Sequence, residues 1–562
     1  MIGRRLVLLI YTQRWIPGRP FELVGSLGGL TLAARLRSRG FDARSYTGIT
    51  VDVVRAIREH ISELFAVCFY CDFDNQNAIA SISRVFRDAP FYKLVGGPQT
   101  LHMSPEDFSG LNVDAVLCGD GEEALPAWLE ARASGNVAPA PLRQETTARK
   151  KGDFELLRSF GEYPVADDRL SLNAPGLLFS VITARGCPHR CAFCFEGGNS
   201  KVLRQRSPAE VLDEIELRLE RSRHLKYLFF ADDTFTFDMR RLEAILQGLV
   251  RLREKRDFVW FCEGHASFFR RYPEAMAEMV KAGMVRMQIG MESGNDRVLE
   301  LYGKHIRAED IRYTARLAWE AGLPQLCGNF IIGGAWESHE TLDQTRSFVQ
   351  ALLREFPGLL DLSTTFPMPL PGTRLSERPE DYGITWLDRE FVTSLEDVPV
   401  NRTKALRAEE ICTARSAFLS MVLREMRALA ADGRIPRERV RRSLELTYQY
   451  GIVDSWCGSV YQRDAQLMAY YRAILVDGFL EWSRVCDLRP EDVTPVRVVP
   501  WEKVNSDTPE VLVRLLAAAD GRTLAELRDV IGASWDALRS LMREAEERCL
   551  LVFWKTAFQH AL

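Results

Sequence analysis

The stretch Leu177–Phe195, LLFSVITARGCPHRCAFCF, decides the reading of this chain, because an apolar strand runs directly into a loop carrying Cys187, Cys191 and Cys194. Thiolates are soft ligands suited to iron–sulfur clusters, and three of them on one loop leave one iron of a four-iron cluster free to chelate a small molecule. A closed zinc site would want a fourth ligand, and His189 inside the first interval is the one local candidate. A ligand loop that follows a strand sits at the carboxyl end of its sheet.

Strand and helix alternate outward from the loop. Between 176 and 375 the runs LLFSVITA, KYLFFADDTF, FVWFCEGHA, VRMQIGMESG, QLCGNFIIGG and LDLSTTFPMP read as six strands, with amphipathic stretches such as SPAEVLDEIELRLERS between them. Six such units in about 200 residues predict a partial parallel (β/α)6 barrel with its chemistry at the carboxyl-terminal mouth. Residues 1–135 repeat the alternation with strands near 5–10, 43–46, 64–70, 92–97 and 114–119, which predicts a Rossmann-like, doubly wound sheet. Its ligand is expected beyond the strand ends, at 11–25, 71–76, 96–104 and 118–122. Residues 136–175 change to a Pro-containing polar text without a period and read as a linker or loosely packed strap. Residues 376–562 read as mostly helical, with an aromatic stretch at 446–482 and a winged-helix-like end at 505–562 of three helices and a closing strand. The fold class is therefore α/β with a helical carboxyl-terminal region.

The 562 residues are 46% hydrophobic and 27% charged with a formal net charge of −4, so nothing points to nucleic acid or an anionic membrane surface as partner. No segment offers about 20 uncharged apolar residues, and the apolar run in MIGRRLVLLIYTQRW ends at Gln13 and Arg14, so a cytoplasmic location is expected. The chain's 12 cysteines are scattered except for 187, 191 and 194 and the looser pair 68 and 71, which suits buried thiols and one metal site better than a disulfide framework.

The pattern C-x3-C-x2-C after a strand, with Phe193 before the last cysteine, resembles the radical S-adenosylmethionine (SAM) superfamily. The resemblance implies that Cys187, Cys191 and Cys194 bind a 4Fe–4S cluster, that the open iron holds the methionine end of SAM, and that Phe193 lies near the adenine. In that family the reduced cluster cleaves SAM to a 5′-deoxyadenosyl radical. FFADDTF resembles the family's second strand end, which places Asp232 and Asp233 toward the SAM amino group or the substrate. IGMESGNDRVLELYGK resembles the fourth strand, in which Glu292 and Ser293 would reach the ribose; a helix-cap role for Ser293 or Asn295 is the alternative. FIIGGAWESHETLDQT holds the position of the family's fifth-strand glycine turn, with Gly334-Ala335-Trp336 in place of glycine-proline-glycine. Where related proteins end the third strand on arginine, this chain has Glu263 and His265, each a candidate substrate contact or proton carrier.

KLVGGPQTLHMSPEDF followed by VDAVLCGDGEEALPAWL resembles the cobalamin-binding domain of the cobalamin-dependent radical SAM class over about residues 5–130. Gly96, Gly97 and Pro98 make one turn where backbone can approach a large ligand, and Gly119, Gly121 and Glu122 open a second. A Rossmann-like nucleotide domain is the alternative, but no G-x-G-x-x-G follows the first strand. D-x-H-x-x-G is absent too, so no histidine of that motif would reach cobalt, and Tyr70, Cys71, Asp72 and Asn75 are the candidates to flank the corrin. The resemblance implies methyl transfer from SAM through cobalamin to an unactivated carbon of a natural-product or peptide intermediate, with rearrangement or cyclisation without methyl transfer as the alternative. It also implies a small-molecule or peptide substrate and an external one-electron donor such as a flavodoxin or ferredoxin. A third reading makes the carboxyl-terminal unit a leader-peptide-binding module.

Overall fold

Strands covered on both faces have no polar side to present, so they read as nearly unbroken apolar runs. Such runs, joined by the more polar edge strand β2, build the first sheet: β1 (Leu6–Thr12), β2 (Asp42–Gly48), β3 (Leu64–Tyr70), β4 (Tyr92–Gly96) and β5 (Ala115–Val116). They pair in the order β2-β1-β3-β4-β5, and all the pairings are parallel. The period of two is visible in the core. Val7, Leu9, Ala66 and Leu94 pack with Leu36, Trp128 and Leu129 on one face. Leu8, Ile10, Val67 and Val95 pack with Ile57, Ile79 and Ile82 on the other. Each such side chain, fully buried, contributes about 1.5–3 kcal/mol. The order reverses direction between β1 and β3, where doubly wound sheets open a ligand crevice.

The computed structural model describes residues 6–13, 25–72, 75–101, 110–135, 164–173, 176–196, 203–388, 398–436, 438–439, 442, 446, 450, 481–483, 497–498, 509–519, 522–547 and 551–555. The chain divides into two compact units, one of Met1–Phe348, Thr364–Ser416 and Asp454–Trp456, the other of Val349–Ser363, Ala417–Val453 and Cys457–Leu562. Most of the aromatic stretch 446–482 and the strand-end segments 14–24 and 102–109 lie outside the described residues.

The second sheet begins with β6 (Leu178–Val181). A short antiparallel pair, β7 (Ala184–Arg185) and β8 (Arg204–Gln205), flanks the cysteine loop and was not expected from the sequence. The sheet continues with β9 (Tyr227–Phe230), β10 (Val259–Gly264), β11 (Met284–Glu292), β12 (Gln325–Ile331) and β13 (Leu360–Thr365). The order β13-β12-β11-β10-β9-β6 follows the chain, an open array as a partial barrel requires. Helices of strong amphipathic pattern lie between the strands, among them Pro208–Arg221 with a Ser207–Glu210 capping box.

The strap is tight where it is described. Asn173 donates to and accepts from the backbone of Thr47, and the Leu172 N–H donates to the Ser45 carbonyl at 2.8 Å. Asp168 takes a two-pronged bond from the wholly buried Arg218, which also reaches the Ser180 carbonyl in β6. A buried guanidinium needs all its donors met, and Asp168, Ser180 and Glu214 meet them from three segments. The expectation of a loosely packed strap is thereby corrected for residues 164–173.

In the second unit, helices Glu510–Ala519, Leu524–Ile531 and Trp535–Glu547 close around Leu512, Leu515, Leu527, Leu538 and Met542. Strand β16 (Glu481–Ser483) and β17 (Arg497–Val498) flank the closing β18 (Leu551–Lys555), both antiparallel. Among the described residues no helix is long and apolar enough to cross a membrane.

Candidate active site at the strand ends

The cysteine loop is held at its base and its crown. Asp232, buried after β9, accepts from the Thr183 N–H at 2.6 Å, the Ala184 N–H at 3.2 Å and the Thr183 hydroxyl. Burial lifts its carboxyl to about 6 against those three donors. The expected turn of Asp232 toward SAM or substrate is corrected: both its oxygens anchor the strand end from which the loop springs. Gly186 (φ 90°) then makes the bend that an L side chain resists. At the crown, the Ala192 N–H donates to the Tyr302 carbonyl at 2.8 Å, and the Leu375 N–H donates to the Ala192 carbonyl at 2.9 Å. Cys191 is buried, and Cys187 and Cys194 are half-buried. Burial pushes the Cys187 thiol up to about 12 and raises Cys191 as well, so a bound metal would have to draw off the protons.

These residues fit an iron–sulfur cluster. Among the described residues no three His, Cys, Asp or Glu side chains are gathered around one ion position. A cubane takes its three thiolates on three different irons. A cationic side chain that sequence reading did not single out supports the same chemistry. Lys304 is buried beside Glu292, with Nζ 3.3 Å from Oε1. Burial would lower the ammonium, but Glu292 and the sulfurs of Cys191 and Cys194 raise it on balance. Glu292 adopts φ 59°, and a Cβ on Gly290 would sit 2.1 Å from its Oε1, so glycine is needed there for the pair to form. Phe193 meets Tyr302 edge-on at 5.0 Å and packs over the Val298, Ala335 and Leu375 cluster. Ser293 does not face this mouth. Its wholly buried hydroxyl bonds Thr345 Oγ1 and accepts from the Asn295 N–H, and Asn295 caps helix Asp296–Leu301.

The end of β10 supplies the next wall. Burial, and then the neighbouring Asp233 charge, lift the half-buried Glu263 to about 7, while Gln288 Nε2 donates to its Oε1 at 3.2 Å. Asp233 itself is exposed and held above the usual carboxylate range by its surroundings, with the Gly186 N–H opposing. His265 accepts from the Ser267 N–H at Nδ1, which puts its proton on Nε2. That buried Nε2 has no partner among the described residues, and the ring stacks on His189 at 3.7 Å. Burial and the Lys304 charge depress His265 to about 2, so its ring is neutral at physiological pH.

On the first sheet the rim is made mostly of backbone. Asn75 Nδ2 donates to the Tyr70 and Thr12 carbonyls while its Oδ1 accepts from the Asp72 N–H, which stitches the ends of β1 and β3. Cys71 is wholly buried, its N–H given to the Gly96 carbonyl at 2.7 Å. Gly97 (φ 109°) passes so close that a Cβ would lie 2.5 Å from the Cys71 carbonyl, and Pro98 opens a short 3-10 turn. Cys71 and Asn75 are therefore spent on unmet backbone groups and do not present themselves to a ligand, a correction to their expected role. Glu122 is corrected likewise, since it pairs with Arg185. Gly121 packs on Leu32, and Gly96 makes ordinary contact with Leu117. Two positions do open outward. Gly119 (φ 89°) has nothing within 4 Å of where a Cβ would point, and Tyr70 is 38% exposed. Burial and the carboxylates of Asp72, Glu196 and Asp233 push the Tyr70 phenol up, so the end of β3 shares an electrostatic neighbourhood with the end of β9.

The strand-end loop of three thiols, with a buried lysine behind it at the mouth of an open parallel array, lies in a radical SAM domain: residues 181–349 match the Radical SAM superfamily. The chain is 29% identical over 356 residues to an uncharacterized methyltransferase of Pyrococcus horikoshii, covering 60% of this chain and 74% of that one. Two solved structures share its fold. The radical S-adenosylmethionine methyltransferase TsrM from Kitasatospora setae, with cobalamin and a [4Fe-4S] cluster bound, aligns at a TM-score of 0.54 and 18% identity, covering 74% of this chain and 85% of that one. The cobalamin-dependent S-adenosylmethionine radical enzyme OxsB aligns at 0.52 and 15%, covering 97% and 80%.

Proposed function

We propose that the protein is a cobalamin-dependent radical SAM methyltransferase acting on carbon of a natural-product or peptide intermediate. Residues 1–135 would hold the corrin and 176–375 the cluster and SAM. The observation that carries this reading is the meeting of two sets of strand ends within one compact unit. Tyr70 at the end of β3 lies in the field of Asp233 and Glu196, and Asp120 after β5 is bonded to Arg185 in β7. TsrM is named a radical SAM methyltransferase and holds cobalamin with a [4Fe-4S] cluster, OxsB is named a cobalamin-dependent SAM radical enzyme and the P. horikoshii relative a methyltransferase, and these names support the reading.

When bound, the cluster with SAM would supply radical chemistry and the corrin a transferable methyl group. The chain's own residues do the rest. Cys187, Cys191 and Cys194 would each hold an iron, Lys304 would offer positive charge to an anionic ligand group, and Glu292 fixes that lysine. Phe193 forms an apolar wall suited to the adenine. Glu263, near 7, can take or return a proton at the substrate, and His265 Nε2–H can donate to a substrate or SAM oxygen. Tyr70 and the open space at Gly119 would face the corrin. An external one-electron donor such as a flavodoxin or ferredoxin would reduce the cluster, and a reducing cytoplasm would keep its thiols free.

SAM labelled in its methyl group tests the reading. Label in the product is expected. Deoxyadenosine that accumulates without labelled product would overturn methyl transfer and favour rearrangement or cyclisation.

A further inference from the structure

Arg185 immediately precedes Gly186 and Cys187, and none of the cofactor roles above uses it. Its Nη1 lies 2.6 Å from Asp120 Oδ1, and its Nη2 bonds Glu122 Oε1. Arg204 stands directly opposite it in the β7–β8 pair, with Nη1 2.6 Å from Asp120 Oδ2. Two like charges facing each other across paired strands repel. Here Asp120 places one oxygen on each, and Glu122 adds a second negative charge. The side chains of Asp120 and Glu122 are only 11% and 6% exposed, so solvent screens these pairs weakly. Asp120 follows Gly119, the open position on the first sheet's rim. A continuous run of bonded groups thus leads from the open rim at Gly119 through Asp120 and Arg185 to Gly186 and the first cluster cysteine.

We propose that Arg185 is a positioning residue that ties the cysteine loop to the first sheet's rim, so that a corrin seated on that rim alters the setting of Cys187. The second half of this statement rests on the corrin reading given above. Removing the guanidinium would take one cationic partner from each of Asp120 and Glu122, leave Asp120 to Arg204, and free the strand end that carries Gly186, while the Asp232 and Tyr302 anchors keep the loop near its place.

The test uses the full chain with its cluster reconstituted anaerobically, with and without aquacobalamin. Hydrogen exchange is read over residues 186–195, and paramagnetic resonance is read on the reduced cluster with SAM. In the corrin-free protein, Arg185→Gln is expected to retain its iron and sulfide while residues 186–195 exchange at least about tenfold faster than wild type. Glu123→Gln, which removes an exposed partner of Arg35 on the same helix turn, is expected to change neither reading. In wild type, aquacobalamin should shift the cluster signal, and in Arg185→Gln that shift should vanish. Unchanged exchange in Arg185→Gln would overturn the positioning role. A wild-type signal unmoved by bound corrin, or a shift preserved in the variant, would overturn the coupling. Should Arg185→Gln fail to fold, Asp120→Asn carries the same test, with a smaller acceleration expected and none contradicting the role. A wild type that retains no corrin would sink the functional reading, while the corrin-free exchange comparison would still decide the role of Arg185.

Discussion

The barrel rim and the first sheet's rim meet in one unit, yet they are built from different materials. The barrel rim is made of side chains with chemistry: three thiols, the Lys304–Glu292 pair, Glu263, Asp233 and the stacked His189 and His265. The first sheet's rim is made of backbone shape, with Gly97 against Cys71, Asn75 stitching two strand ends and an open Gly119. A cluster and a sulfonium need specific ligands, whereas a large planar ligand needs room. Substitutions should therefore act by lost chemistry on one rim and by lost shape on the other.

The largest separation is expected from Cys191→Ala. Iron content should fall from about four per chain to below about one, and SAM cleavage should be lost, while corrin retention by the first sheet stays within about threefold of wild type. Iron and sulfide analysis beside the corrin absorption spectrum would show it, and joint loss of both cofactors would break the comparison. Next comes Gly97→Ala. Its added Cβ meets the Cys71 carbonyl at φ 109°, which should cost about 2–4 kcal/mol of stability. Gly119→Ala, into open space at φ 89°, should cost only about 1 kcal/mol. Denaturant unfolding distinguishes them, and equal costs would show that close approach is not what Gly97 provides.

A further effect lies within the barrel and depends on pH. Glu337 accepts from the Gly333 and Gly334 N–H groups at 2.6 and 2.8 Å, and burial lifts it from an ordinary 4.5 to about 7. A carboxyl raised on folding holds its proton in the native state, so its contribution is full below 4.5 and is lost as pH rises through 7. Glu337→Gln cannot titrate. Its stability relative to wild type should rise by about 1–3 kcal/mol between pH 4.5 and 8. A constant difference across that range would contradict the assignment.

Legibility in the sequence follows the same division. Most of the eleven strands of the two main sheets can be read because buried strands must be apolar, and the cysteine loop because cluster chemistry fixes residue identity and spacing. Asp232 and Asp233 are adjacent identical letters, but one turns inward to anchor Thr183 and the other outward to the mouth, which only the strand-end geometry decides. Ser293, Cys71 and Asn75 carry polar atoms that suit a ligand, and the fold spends them on buried backbone and a turn. Lys304 escapes notice because a lysine after a helix ordinarily complements the helix dipole in solvent. Only the left-handed Glu292 and the bare Gly290 bring the two together. The pairing of Arg185 with Asp120 spans 65 residues and joins two sheets, a relation that no local pattern encodes.

On the reading above, the two rims hold two cofactors in one unit. Anaerobic reconstitution of the full chain with iron, sulfide and cobalamin, followed by metal analysis and optical and paramagnetic resonance spectra with SAM, tests it most directly. One four-iron cluster and one corrin retained per chain, with the cluster signal altered by SAM, is the predicted result. A chain that binds the cluster but retains no corrin would contradict it.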